Sequence, residues 1–203
     1  MRMRKPFEIG GVIAGAVLIA FGAVAIYMGA DGRSTVRNSI DQEQIFFGAA
    51  DDPVVAKYAS KWAGDQVKTG TQARAFAEVI HGHALKITGG LTYSQMGRYV
   101  SADEPKNPAG TSDETAALKD ADGNPVPNAA RNTWVTATAL STALNMSFMA
   151  EQMALFGMVV GVALLLSGIG FMVLALGGAL RRREVEPAAA ASKIKPRPVV
   201  TTG

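Results

Sequence analysis

The stretch MALFGMVVGVALLLSGIGFMVLALGGAL, residues Met153 to Leu180, holds no charged side chain and stops at Arg181, Arg182 and Arg183. A helix needs about 20 apolar residues to cross a hydrocarbon core about 30 Å thick. This run is longer than that, and a second run from Ile9 to Met28 is just long enough. The two runs divide the 203-residue chain into an N-terminus (1–8), a first span (9–29), a central segment (30–152), a second span (153–180) and a tail (181–203). The fold expected from this division is all-α: a membrane hairpin of two transmembrane helices carrying a small helical extracytoplasmic domain.

The formal net charge of +3 is unevenly placed. Arg2, Arg4 and Lys5 precede the first span. Arg181, Arg182, Arg183, Lys193, Lys195 and Arg197 follow the second. Between residues 30 and 150, eleven basic residues meet thirteen acidic ones. Basic flanks of spans stay on the cytoplasmic side, so both termini are expected inside the cell membrane and the central segment outside. A nucleic-acid-binding module would gather its basic residues on a folded surface; here they flank spans, and the expected partners are the lipid bilayer and another membrane or envelope protein, not nucleic acid. Cysteine is absent, so no disulfide supports the exported part. The first run exceeds the 7–15 residues of a signal-peptide core, and a cleavage site before Asp31 would put Met28 where a small residue is required. An uncleaved anchor is the expectation.

Glycines recur along both spans: Gly11, Gly15, Gly22 and Gly29 in the first, Gly157, Gly161 and Gly168, then Ala175, in the second. Small residues on one face let helix backbones approach closely in lipid. The two spans are therefore expected to pack on each other through Gly11, Gly15, Gly22, Gly157, Gly161 and Gly168; the rival reading is that one such face recruits another membrane subunit.

The central segment reads as helices around a loop. Ser34 to Gln44 is polar and extends the first helix outward, and Ile45-Phe46-Phe47 is a short apolar patch. Asp51-Asp52-Pro53 reads as a helix start, followed by Val54, Val55, Tyr58 and Trp62 at helical spacing. From Thr71 to Thr88, Phe76, Val79, Ile80, His83, Ala84 and Ile87 make one apolar face. Arg74 and Glu78 are spaced to pair on the polar side, and Gly89-Gly90 supplies the stop. Residues 101–130, with four prolines and two glycines, read as a partly mobile surface loop with a tight hairpin at Asp122-Gly123. From Asn132 the helical pattern returns through Trp134, Ala137, Ser141, Leu144 and Phe148 and meets no breaker before Met153, which predicts one helix from about 130 to about 180. Glu151 is expected in solvent at the outer membrane boundary. The tail, rich in proline and alanine, is expected to be disordered and cytoplasmic.

Candidate chemistry is sparse. His81 and His83 are the only histidines. Two residues apart on a helix they point about 200° away from each other, so they cannot share an ion there. Glu78 and His81 do share a face, but di-iron bundles use two Glu-x-x-His motifs with two further glutamates. Glu78, His81 and His83 are thus weak metal candidates; the plainer reading packs His83 in the core and leaves His81 at the surface. Asp120-x-Asp122-Gly123-Asn124 resembles the start of a calcium loop, but the glycine comes early and Arg131 stands where the closing glutamate belongs. No catalytic residue and no cofactor is assigned.

The run from Ala77 to Met96, with His83-Ala84-Leu85, Thr88, Gly90, Thr92 and Tyr93, and the Asn145 to Phe156 entry into the second span resemble a family of small actinobacterial two-span membrane proteins. The resemblance covers about residues 64–180 and implies the hairpin topology. Members are often labelled aromatic ring-opening dioxygenase subunits, which would imply iron; such sites need two histidines and a carboxylate converging with open positions. The function expected from the residues is that of a non-enzymatic membrane accessory or interaction protein. The alternatives are a metal-dependent ring-opening oxidoreductase and a lipid or small-ligand binder with a cavity lined by Met146, Met149 and Met153.

Overall fold

The computed structural model describes residues 4–177, with side chains from Phe7. The expected disordered tail, the arginines at 181–183 and the extreme N-terminus lie outside the described residues. Among the described residues, four α-helices follow in order: α1 (Arg4–Gln42), α2 (Pro53–Tyr58), α3 (Gly70–Ile87) and α4 (Ala129–Leu176), with single 3-10 turns at Ser60–Trp62 and Tyr93–Gln95. No strand occurs among the described residues, only isolated antiparallel bridges.

α1 and α4 are long and apolar enough to cross a membrane, with mean hydropathies of 2.5 and 2.6 in their most apolar windows. Only 11% and 17% of those windows is buried within the protein. The core helix of a soluble domain would bury its apolar side chains; here Ile13, Val17 and Phe21 on α1 and Phe156, Val159 and Leu166 on α4 face outward. At 1.5 Å per residue, the 39 residues of α1 and 48 of α4 make rods of about 58 and about 72 Å. Both exceed a 30 Å hydrocarbon core, so each carries a long extension beyond its apolar part.

The remaining chain is built on those extensions as a small head. Asp52 caps α2 by accepting from the Val54 N–H at 2.8 Å, with Pro53 in the first turn. Thr69 caps α3 by accepting from the Gln72 N–H, while the Gln72 side chain returns to accept from the Lys68 N–H. Phe47 is 3% exposed; it stacks on Trp62 and meets Phe76 edge-on. Ile40 of α1, Val54 and Val55 of α2, Val67, and Ala73 and Val79 of α3 complete this core. The apolar patch at 45–47 is therefore the centre of the head's core. It is held by Phe47 N–H to the Asp65 carbonyl and Val67 N–H to the Ile45 carbonyl, at 2.9 and 2.8 Å.

Residues 97–128 depart from the expected loose loop. Tyr99 bridges Thr111 and Pro127, Ser101 bridges Ala117, and Lys119 bridges Pro125. The hairpin turn lies at Asp122-Gly123, where Gly123 adopts φ +82°, a conformation glycine takes without a steric cost. Asn128, 4% exposed, knits the whole segment: its amide donates to the Gly97 and Pro108 carbonyls while its oxygen caps α4 at the Ala130 N–H. Proline and glycine here shape tight turns within a hydrogen-bonded layer.

Candidate functional site

The seam between α1 and α4 has a strict seven-residue repeat. A Cβ added at Gly22 would lie 2.6 Å from the Gly161 carbonyl oxygen; one at Gly168 would lie 2.7 Å from the Gly15 carbonyl oxygen; one at Gly29 would lie 2.7 Å from the Ala154 carbonyl oxygen. No side chain fits in that space, so glycine sets the backbone separation. Gly15, Gly22, Gly161 and Gly168 are thus brought together. Gly157 is not on this seam, since a Cβ there would meet nothing within 4 Å. Gly11 is half-buried on α1. Gly29 of the same glycine series faces Ala154.

About one helical turn beyond the Gly29–Ala154 contact, four residues up α1 and three down α4, Arg33 meets Glu151. Glu151 is 3% exposed, not solvated as its sequence position suggests. Its Oε1 accepts from Arg33 Nε at 3.0 Å and from Arg37 Nε at 2.7 Å. Its Oε2 accepts from the backbone N–H of Gly70, the first residue of α3, at 2.6 Å. A buried carboxylate is tolerated only when its lone pairs are answered by donors, and this one has two guanidiniums and a helix N-terminus. Gly70 is required by the geometry: a Cβ there would fall 2.8 Å from Glu151 Oε2 and 2.9 Å from the Phe148 Cα. One side chain thereby ties α1, α3 and α4 together where the hairpin meets the head.

The weak metal candidates are dispersed. His83 leaves the core position expected for it: its Nε2 lies 2.8 Å from Asp52 Oδ2, and its side chain is 42% exposed. His81 is the packed one, stacked on Trp134 at 5.5 Å with an interplanar angle of 9°. Its Nε2 is buried without a hydrogen-bond partner among the described residues. Glu78 is exposed, and Arg74, its expected partner, lies over the Phe148 ring at 5.0 Å. No group of three or more His, Asp or Glu side chains among the described residues is placed to hold an ion. The Asp52–His83 contact and the Val54 N–H bond have one electrostatic result: the N–H bond first, then the His83 bond, holds the Asp52 carboxyl below its ordinary value.

Two cavities line the upper part of α4. One of about 690 Å³ lies between the end of α1, α3 and α4, walled by Ile40, Ile45, Phe46, Phe76, Leu144 and others, with Ser39, Glu43 and Ser147 as its polar groups. A second, of about 490 Å³, continues between α3 and the start of α4; Ile80 and Leu140 line both. Met146, Met149 and Met153, the expected cavity lining, instead face outward, each more than half exposed.

Arg33, Arg37 and Gly70 were not singled out from the sequence. The signal was present in the charges: two arginines one turn apart just after one span, and a lone glutamate just before the other. No family model, curated protein or solved structure matches this chain.

Proposed function

We propose that the protein is an integral membrane hairpin with both termini cytoplasmic and the head outside, acting as a non-enzymatic accessory subunit that presents the head to another membrane or envelope protein. The observation that carries this reading is the Glu151 clasp, which joins head and apolar helices through one buried, fully answered carboxylate. A head fixed to its anchor in this way holds a partner at a set height above the bilayer. The outward apolar faces of α1 and α4 supply the lipid contact. Affinity purification of the tagged chain from its host's membranes in a mild detergent, with stoichiometry by mass spectrometry, tests the proposal. A partner in fixed ratio is expected. Recovery of the chain alone, repeated after crosslinking, would count against an accessory role.

A second reading, binding of an apolar small molecule or lipid tail, is favoured by the cavity of about 690 Å³. Its size and apolar lining fall within the range of ligand sites, about 300–1,000 Å³. Ile80→Trp, which would fill the shared wall of both cavities, should abolish any lipid that co-purifies.

A further inference from the structure

We propose that Arg33 and Arg37 form a binding site for the phosphate group of an anionic membrane lipid at the outer end of the hairpin. This rests on the membrane-hairpin reading above. α1 carries no charged side chain between Glu8 and Asp31, so Arg33 and Arg37 are the first cations beyond its apolar run. Four residues apart, they share a helix face. Their bonds to Glu151 use the Nε of each, which leaves the forked Nη pairs, the donors best matched to phosphate oxygens. The side chains are 36% and 39% exposed, so those forks reach the surface.

The local charge favours an anion. One buried carboxylate answers two guanidiniums, and the Arg74 guanidinium lies over Phe148, three residues from Glu151 on α4. The nearby acids are directed elsewhere. Asp31 sits two residues before Arg33, about 200° around the helix, and Asp41 is held by Lys68 at 3.3 Å.

The depth also fits. Headgroups add about 5–7 Å on each side of the hydrocarbon core; along the helix the Arg33 backbone lies about 7.5 Å and the Arg37 backbone about 13.5 Å beyond Met28, and both side chains converge on the same Glu151 oxygen. Helical side chains lean toward the N-terminus, which on α1 is back toward the apolar run. The arginines are therefore aimed at the layer where lipid phosphates lie. Glu151 holds them there, whereas solvated arginines would sample many rotamers.

The test uses the full chain in mild detergent, titrated separately with phosphatidylglycerol, phosphatidylcholine and inorganic phosphate, and read by native mass spectrometry and thermal shift. Wild type should retain and be stabilised by phosphatidylglycerol more than by phosphatidylcholine. Arg33→Gln and Arg37→Gln should each weaken that retention by about tenfold, the loss of one charge-assisted contact. Equal response to the two lipids overturns the proposal, and this comparison needs no variant to fold. Arginine variants of unchanged helicity that retain phosphatidylglycerol like wild type also overturn it. Saturation by inorganic phosphate alone, with no gain from phosphatidylglycerol, assigns the site to a soluble phosphate and overturns the lipid assignment. A single cysteine at Asn38, labelled from outside intact cells, separates the two levels of failure. No labelling removes the outside placement of the head on which this site rests; labelling without lipid selectivity removes only this site.

Discussion

Glu151 shows how much one residue can carry when three elements meet on it. Replacing it by alanine leaves the Gly70 N–H buried without an acceptor and two guanidiniums without their shared anion. A buried unanswered donor costs about 1–3 kcal/mol, so Glu151→Ala should lower the apparent unfolding temperature in detergent, while Glu151→Gln, which keeps one acceptor oxygen, should lose less. Equal, negligible shifts for both would mean that the clasp is a surface ion pair of little worth. The histidines make the complementary case. Helical spacing alone put His83 in the core, yet Asp52 at the cap of α2 draws it out, and Trp134 takes His81 in. Neither partner is near in sequence, so no local pattern could have exchanged them.

At the scale of elements, the α1–α4 seam and the α2 cap give separate expectations. Gly22→Leu or Gly161→Leu would force the backbones apart, an overpacking cost of about 1–3 kcal/mol. Gly157→Leu, whose Cβ meets open space, should be tolerated. Thermal unfolding of the three variants in one detergent checks this, and equal loss at Gly157 would contradict the seam. The α2 cap has an acid limit. The Asp52 carboxyl is held below its ordinary 3.8 by the Val54 N–H and by His83. A carboxyl lowered in the folded state stabilises above its unfolded value and loses that contribution as pH falls through the lowered folded value. Protection of the α2 amides against hydrogen exchange should therefore be constant above about pH 5 and fall below about pH 4, near the unfolded Asp value. The Asp52→Asn variant should flatten that profile.

For the whole molecule, the hairpin reading predicts a sidedness. The chain lacks cysteine, so single cysteines report position without background. Residues in the head, such as Ser112 or Asp122, should label from outside intact cells, and a cysteine at Ser192 should label only after permeabilisation. The reverse pattern would invert the topology, and labelling of all three from outside would show that α4 does not cross the membrane.

Local sequence alone specifies the two long apolar helices, the continuity of α4 from the head into its apolar run, and the helix start at Asp52, and it places the start of α3 within a residue or so of Thr71. Each of these rests on a local property: run length, 3.6-residue periodicity, or a cap next to a first turn. It also marked the seam glycines as a class, because small residues at heptad spacing are visible in one chain. Tertiary structure decided the rest. Which glycines touch depends on the register of α1 against α4, and that register chose Ala154 and Gly29 over Gly157. The ordering of residues 97–128 depends on Asn128 meeting carbonyls 20 and 31 residues away. The burial of Glu151 depends on two arginines more than a hundred residues distant and on a helix N-terminus from a third element. A carboxylate's environment is set by the donors that surround it in space, and one-dimensional spacing carries no record of them.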